Sequence, residues 1–216
     1  MTVAMTPRFK MILVVAAIVV YGWGIHKDWW QAPEFIMSMF RDKNPEELYI
    51  QAVESNNLDE VKRLLAEGVP VDTADNKIEV FDKDYSRRAR EGDTALIIAA
   101  KCGHLGIAKY LITKKADVNF RSKGLGFTPL LGAVKYGNVD VASLLLKHKA
   151  DPNLAGNNGH TPLMEAAGSQ LKQNNAAIVR LLLKYKANPA LKNSKGKTAA
   201  DLCQNKEIQA ILAGEK

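Results

Sequence analysis

The chain of 216 residues has little of what staples a small fold or performs catalysis: two cysteines, four histidines and 7% aromatic side chains. Cys102 and Cys203 fall three repeat units apart in the periodicity described below. Packed helices sit ~8–10 Å apart, which separates the two by on the order of 25–30 Å, far beyond the ~7 Å limit between bridged Cα atoms. No disulfide between them is expected, and two unpaired thiols leave the redox compartment open. The 15 glycines and 8 prolines are too few for a disordered or collagen-like chain, and 47% hydrophobic with 25% charged residues is a globular composition. The length suits one domain and a tail, with a core that needs no staples.

Catalytic motifs are missing too. There is no G-x-S-x-G nucleophile elbow and no G-x-x-x-x-G-K-[ST] phosphate loop, and Gly124-Leu125-Gly126 is a turn feeding a repeat. His26, His104, His148 and His160 lack metal-ligand spacing to one another or to a cysteine. These absences point away from an enzyme and lead us to expect no metal or cofactor. The formal charge of +7 includes Arg8 and Lys10; from Ile25 onward 28 basic residues face 23 acidic ones. A surplus of that size acts on solubility and encounter rates, and no nucleic-acid partner is expected from it.

One long apolar run is present. Met11 to Ile25 carries no charge and follows Arg8 and Lys10. At ~1.5 Å per residue it covers about 22 Å, short of the ~30 Å hydrocarbon core and of a length with a signal-peptide h-region. Tyr21, Trp23, Trp29 and Trp30 gather at its C-terminal end as an interfacial belt would, and Gly22-Trp23-Gly24 is a poor cleavage site. The reading favoured is an uncleaved signal anchor over 11–25, between a flank 1–10 and a linker 26–44. The alternative is a signal peptide removed on export. Charge flanks put the amino terminus in the cytoplasm and the rest outside, which in a bacterium means an inner-membrane protein whose bulk faces the periplasm.

From Pro45 the chain repeats itself. Gly92-Asp-Thr-Ala-Leu, Gly126-Phe-Thr-Pro-Leu and Gly159-His-Thr-Pro-Leu each open a unit. Each leads to a second apolar run and a turn, Ala116-Asp-Val-Asn119, Ala150-Asp-Pro-Asn153 and Ala187-Asn-Pro189. Thr94, Thr128, Thr161 and Thr198 are spaced by 34, 33 and 37 residues. The threonines stand where helix N-cap hydroxyls are wanted, and Pro129 and Pro162 stand just inside, where a missing N–H is harmless. Gly103 and Gly137, with Asn56 and Asn174 in the other units, close the first helices at a left-handed residue. A first unit matches the second at an offset of 47, so it carries about 14 extra residues.

This pattern resembles the ankyrin repeat, with its period of ~33 residues and T-P-L-H-x-A signature. The resemblance implies an all-α solenoid of about five helix pairs over 45–214, with units near 45–73, 92–121, 126–155, 159–190 and 196–212 and an insertion over 74–90. The signature histidine is replaced by Ile97, Leu131 and Met164, which puts its usual bonds between repeats in question. In similar proteins the contacts come from hairpin tips and the exposed face of the first helices. Carried over, the partner-binding candidates include Lys101, Phe127, Lys135, Tyr136, His160 and Ser169, with Asp93, Cys102, Asn158, Lys195 and Lys197 at matching positions. Phe127 and Tyr136 would be aromatic anchors, and for Phe127 packing on its own turn is an equal reading. In the insertion, Phe81 and Tyr85 beside Arg87 and Arg88 form either a partner-binding finger or a loop folded back on the first units. The resemblance implies a non-catalytic module for another protein through its concave surface and insertion. Among bacterial proteins of similar layout such partners include secreted toxins or effectors, a lipase for example. An anionic-surface or nucleic-acid binder and an envelope scaffold are the alternatives.

Overall fold

A computed structural model describes residues 44–75, 92–168 and 175–214. By contacts the chain divides into Met1–Asn44 and Pro45–Lys216. The apolar run 11–25 lies outside the described residues, and among those described no helix is long and apolar enough to cross a membrane.

The described residues form five consecutive helix pairs: α1 (Pro45–Glu54) with α2 (Leu58–Ala66), α3 (Ala95–Cys102) with α4 (Leu105–Thr113), α5 (Pro129–Lys135) with α6 (Val139–Lys147), α7 (Pro162–Gly168) with α8 (Asn175–Lys184), and α9 (Ala199–Leu202) with α10 (Lys206–Leu212). Among them there is no strand, only an isolated antiparallel bridge between Ala74 and Thr94.

Local chemistry sets the helix starts. The Thr128 hydroxyl accepts the Leu131 N–H at 3.1 Å, with Pro129 in the first turn, and the Thr161 hydroxyl accepts the Met164 N–H at 3.3 Å. Thr198 and Asp201 make a reciprocal capping box, and these two backbone and side-chain bonds from Thr198 hold the Asp201 carboxyl below its ordinary pKa. Thr94 departs from the pattern. Its backbone is extended like a cap, but its side chain caps nothing, and its hydroxyl is buried without a hydrogen-bond partner. Helix ends follow the sequence more closely: Gly103 (φ 76), Gly137 (φ 74) and Asn56 (φ 55) are all left-handed. Asn174 lies outside the described residues.

First and second helices differ in pattern because they differ in surroundings. Ala95–Ala100 of α3 and Pro129–Val134 of α5 are buried without interruption, as befits helices enclosed between the neighbouring units and their own partners. The second helices are amphipathic, burying Ile107, Ala108 and Leu111, then Val141, Ala142, Leu145 and Leu146, then Ile178, Val179 and Leu182. Leu111, Leu145 and Leu182 are wholly enclosed, and trimming any one to alanine would cost about 2–5 kcal/mol.

The closing turns bind unit to unit. Asp72 accepts the Asp117 N–H at 3.1 Å, Asn119 the Asp151 N–H at 2.8 Å, and Asn153 the Asn188 N–H at 2.7 Å. The recurring acidic or amide residue of each turn is thus a link to the next unit. Ile97, Leu131 and Met164, standing where the signature histidine is absent, are buried apolar core. Polar links between units come instead from asparagines. Asn138 donates to the Ala100 and Lys101 carbonyls at 2.8 and 2.9 Å, and Asn157 donates to the Gly124 carbonyl at 2.8 Å.

Candidate binding surface

The residue just before the threonine that opens each unit is, in four successive units, Asp93, Phe127, His160 and Lys197. Around the first three a polar strip runs along the solenoid. Asp93 is fully buried and ion-paired to Lys101, whose side chain is only 10% exposed. Burial pushes the Asp93 carboxyl above its ordinary pKa, against the opposing pull of the Lys101 ammonium and the Ser122 hydroxyl. The same Lys101 ammonium stands 4.2 Å from the centre of the Phe127 ring, and the Lys135 ammonium stands 5.1 Å from it. Lys135 continues to Glu165 at 3.7 Å, and Glu165 to His160 Nδ1 at 3.5 Å.

His160 closes the strip against the last hairpin. Asn193 Oδ1 accepts the Lys195 and Lys197 N–H groups at 2.9 and 3.0 Å, which fixes the orientation of its amide. Its Nδ2 therefore donates to His160 Nε2 at 2.9 Å, and the ring proton sits on Nδ1, toward Glu165. Hairpin tips are joined as well: the Asn157 N–H donates to the Leu125 carbonyl and the Ser194 N–H to that of Asn158, both at 3.1 Å.

The structure brings Lys101, Phe127, Lys135 and His160 into one network, but the members are not equally open to a partner. Phe127 is 8% exposed and packs with Ile97, Leu131 and Phe120 in a small apolar cluster. Of the two readings open for Phe127, aromatic anchor and packed ring, its ring is core, because the residue before the threonine turns toward Ile97 and Phe120 of the preceding unit. Tyr136, the cap residue of α5, is 48% exposed and does project. Cys102 is exposed and Cys203 buried, and the two are not joined in a disulfide. Leu125, 46% exposed at a hairpin tip, and the half-buried Glu165 escaped the sequence reading. The signal available was a leucine between two glycines and a charge in the otherwise apolar T-P-L-M-E-A-A run.

Phe81, Tyr85, Arg87, Arg88 and Ser169 lie outside the described residues. What is described of the insertion is its neck, where the Asp75 N–H donates to the Asp93 carbonyl and the Gly92 N–H to that of Asp75, each at 2.8 Å.

Helix pairs stacked in one direction, joined by linked turns and enclosing a continuous core, define a repeat solenoid. A family model described as ankyrin repeats (3 copies) matches residues 49–156 and 114–193, and the chain belongs to the ankyrin-repeat family. The two matches overlap over 114–156, somewhat more than one unit, as happens when a repeated pattern fits in more than one register. No curated protein matches the chain closely enough to count as a relative. Ankyrin repeats indicate a protein–protein interaction module, and proteins built from them are generally non-catalytic.

Proposed function

We propose that the chain clasps a protein partner along the strip from Leu125 and Tyr136 through Lys135, Glu165 and His160. The observation that carries this reading is the contrast between fixed and free groups. Polar side chains of the strip are held by links between units, while Tyr136 and Leu125 project from a preorganised surface. Little ordering is left to oppose association. A tyrosine beside a cation suits the desolvated centre of an interface.

The finer reading is a neutralising partner of a secreted toxin or effector enzyme, held at a bacterial inner membrane by 11–25 with the repeats in the periplasm. Its support is the layout of an apolar run followed by a few ankyrin repeats, together with the aromatic residues that end that run. Affinity capture from the native host followed by crosslinking should place a stoichiometric partner at Lys135 and Tyr136. Tyr136→Ala should weaken capture about tenfold or more, in the range of an interface anchor. An unchanged complex would remove the strip from consideration. A reporter fused after Lys216 that is active only in the cytoplasm would overturn the placement without touching the interface.

A further inference from the structure

The second helices of three successive units end in lysine pairs: Lys114-Lys115, Lys147-His148-Lys149 and Lys184-Tyr185-Lys186. All six lysines are exposed. None forms an ion pair with a described residue, and Lys114 alone has an aromatic contact, with the Tyr110 ring at 5.5 Å. The corners are stacked in register by the asparagine links, since Asn119 Nδ2 donates to the Lys149 carbonyl at 3.3 Å and Asn153 Nδ2 to that of Lys186 at 3.5 Å. Successive lysines therefore form a row with a spacing of about 10 Å.

The second lysine of each pair is held where L side chains are strained. Lys115, Lys149 and Lys186 have φ of 67, 68 and 67, while the matching corner of the first unit is Gly68, φ 99. Glycine is the residue that takes this conformation freely. Favourable interaction with the helix C-terminus explains Lys114 at the C-cap of α4 and Lys147 and Lys184 in the last turns of α6 and α8. It does not explain a second cation that is both strained and repelled by the first.

Charge along the solenoid is also uneven. Pro45 to Asp75 holds eight acidic and two basic residues, whereas Gly92 to Gly214 holds 17 basic and seven acidic.

The geometry points to the lysine row as a docking edge for an anionic lipid bilayer. It is separate from the concave strip and does not depend on that strip's partner. The row contains only lysines, which are point charges without the fork that arginine uses for fixed phosphate geometry. It offers no platform of stacked aromatics for nucleic-acid bases, since Tyr185 packs against the core. Headgroups that move laterally can meet a straight row of point charges, and the acidic first unit is repelled from the same surface.

The test uses the full chain incorporated in vesicles of phosphatidylcholine alone or with phosphatidylglycerol, with lysine acetylation rates read by mass spectrometry. Lys115, Lys147, Lys149, Lys184 and Lys186 should react several-fold more slowly on the anionic vesicles at low salt and recover at high salt, while Lys62 in the acidic unit is unaffected. The variant K115G/K149G/K186G leaves the corner conformation in place, so misfolding does not confuse the result. It should lose the protection of Lys147 and Lys184, each charge removed weakening contact about fivefold. Equal rates on both vesicle types would overturn the proposal. So would protection that survives in the triple variant, or protection by RNA or an acidic polypeptide that exceeds that by anionic lipid. Tyr136→Ala should leave the acetylation pattern unchanged, which separates failure here from failure of the concave strip.

Discussion

Asp93 shows how a single position can serve packing and charge at once. Its folded-state pKa is raised by burial, so ionising it is less favourable in the fold than in the unfolded chain. The contribution follows from linkage: it is most favourable below the unfolded carboxylate range and is lost as pH rises through the raised folded value. Against Asp93→Asn, which cannot titrate, the native chain should therefore gain relative thermal stability as pH falls through that window. Melting curves of the two proteins across mildly acidic pH check the sign, and a constant difference would mean that the carboxyl is not perturbed. Asp93→Ala at neutral pH should cost about 3–5 kcal/mol, because it leaves the nearly buried Lys101 without its counter-charge. The threonines make a second contrast. Thr128→Val removes a cap bond and should destabilise by about 1 kcal/mol. Thr94→Val removes a buried hydroxyl without a partner, so it should be neutral or stabilising by up to about 1 kcal/mol. Denaturant midpoints distinguish the two, although the sequence shows the same residue in the same motif.

Among the turns and helices, two features decide how units meet. Gly126 has φ 68, and a Cβ there would lie 2.8 Å from the Asn157 backbone nitrogen of the next hairpin. Gly126→Ala combines backbone strain with a clash against main chain, and a loss of more than about 2 kcal/mol is expected from chemical denaturation. The left-handed lysines run the other way. Replacing Lys115, Lys149 and Lys186 by glycine should stabilise by about 0.5–1 kcal/mol each, after the entropy that glycine adds to the unfolded chain. At about 2–4 °C per kcal/mol for a chain of this size, the triple variant should melt several degrees higher. The periodic threonines, prolines and closing turns made these elements legible in the sequence, because capping and turn geometry depend on neighbours a few residues away. Loss of the signature histidine was legible as well. Its replacement by Asn138 and Asn157 was not, since those bonds reach 33 to 38 residues along the chain.

For the domain as a whole, stability should be graded along the stack. Units in a solenoid contact only their neighbours, so the enclosed α3 and α5 have support on both sides, whereas the four-residue α9 and α10 close one end. Amide hydrogen exchange should be slowest in α3 and α5 and fastest in α9 and α10; uniform protection would mean that the units unfold as one block. By itself the sequence determined the fold class and the phase of the units, because a unit that cannot bury its apolar faces alone must repeat them at a fixed period. It also located the apolar run. The tertiary structure decided which side chains of the strip are open to a partner. Lys101 reads as surface from its repeat position, and Phe127 as either an anchor or a packed ring, yet the Lys101 ammonium is held between Asp93 and the buried Phe127 ring of the following unit. Burial at such positions depends on the side chain that a neighbouring repeat contributes, and spacing along a single unit carries no record of it.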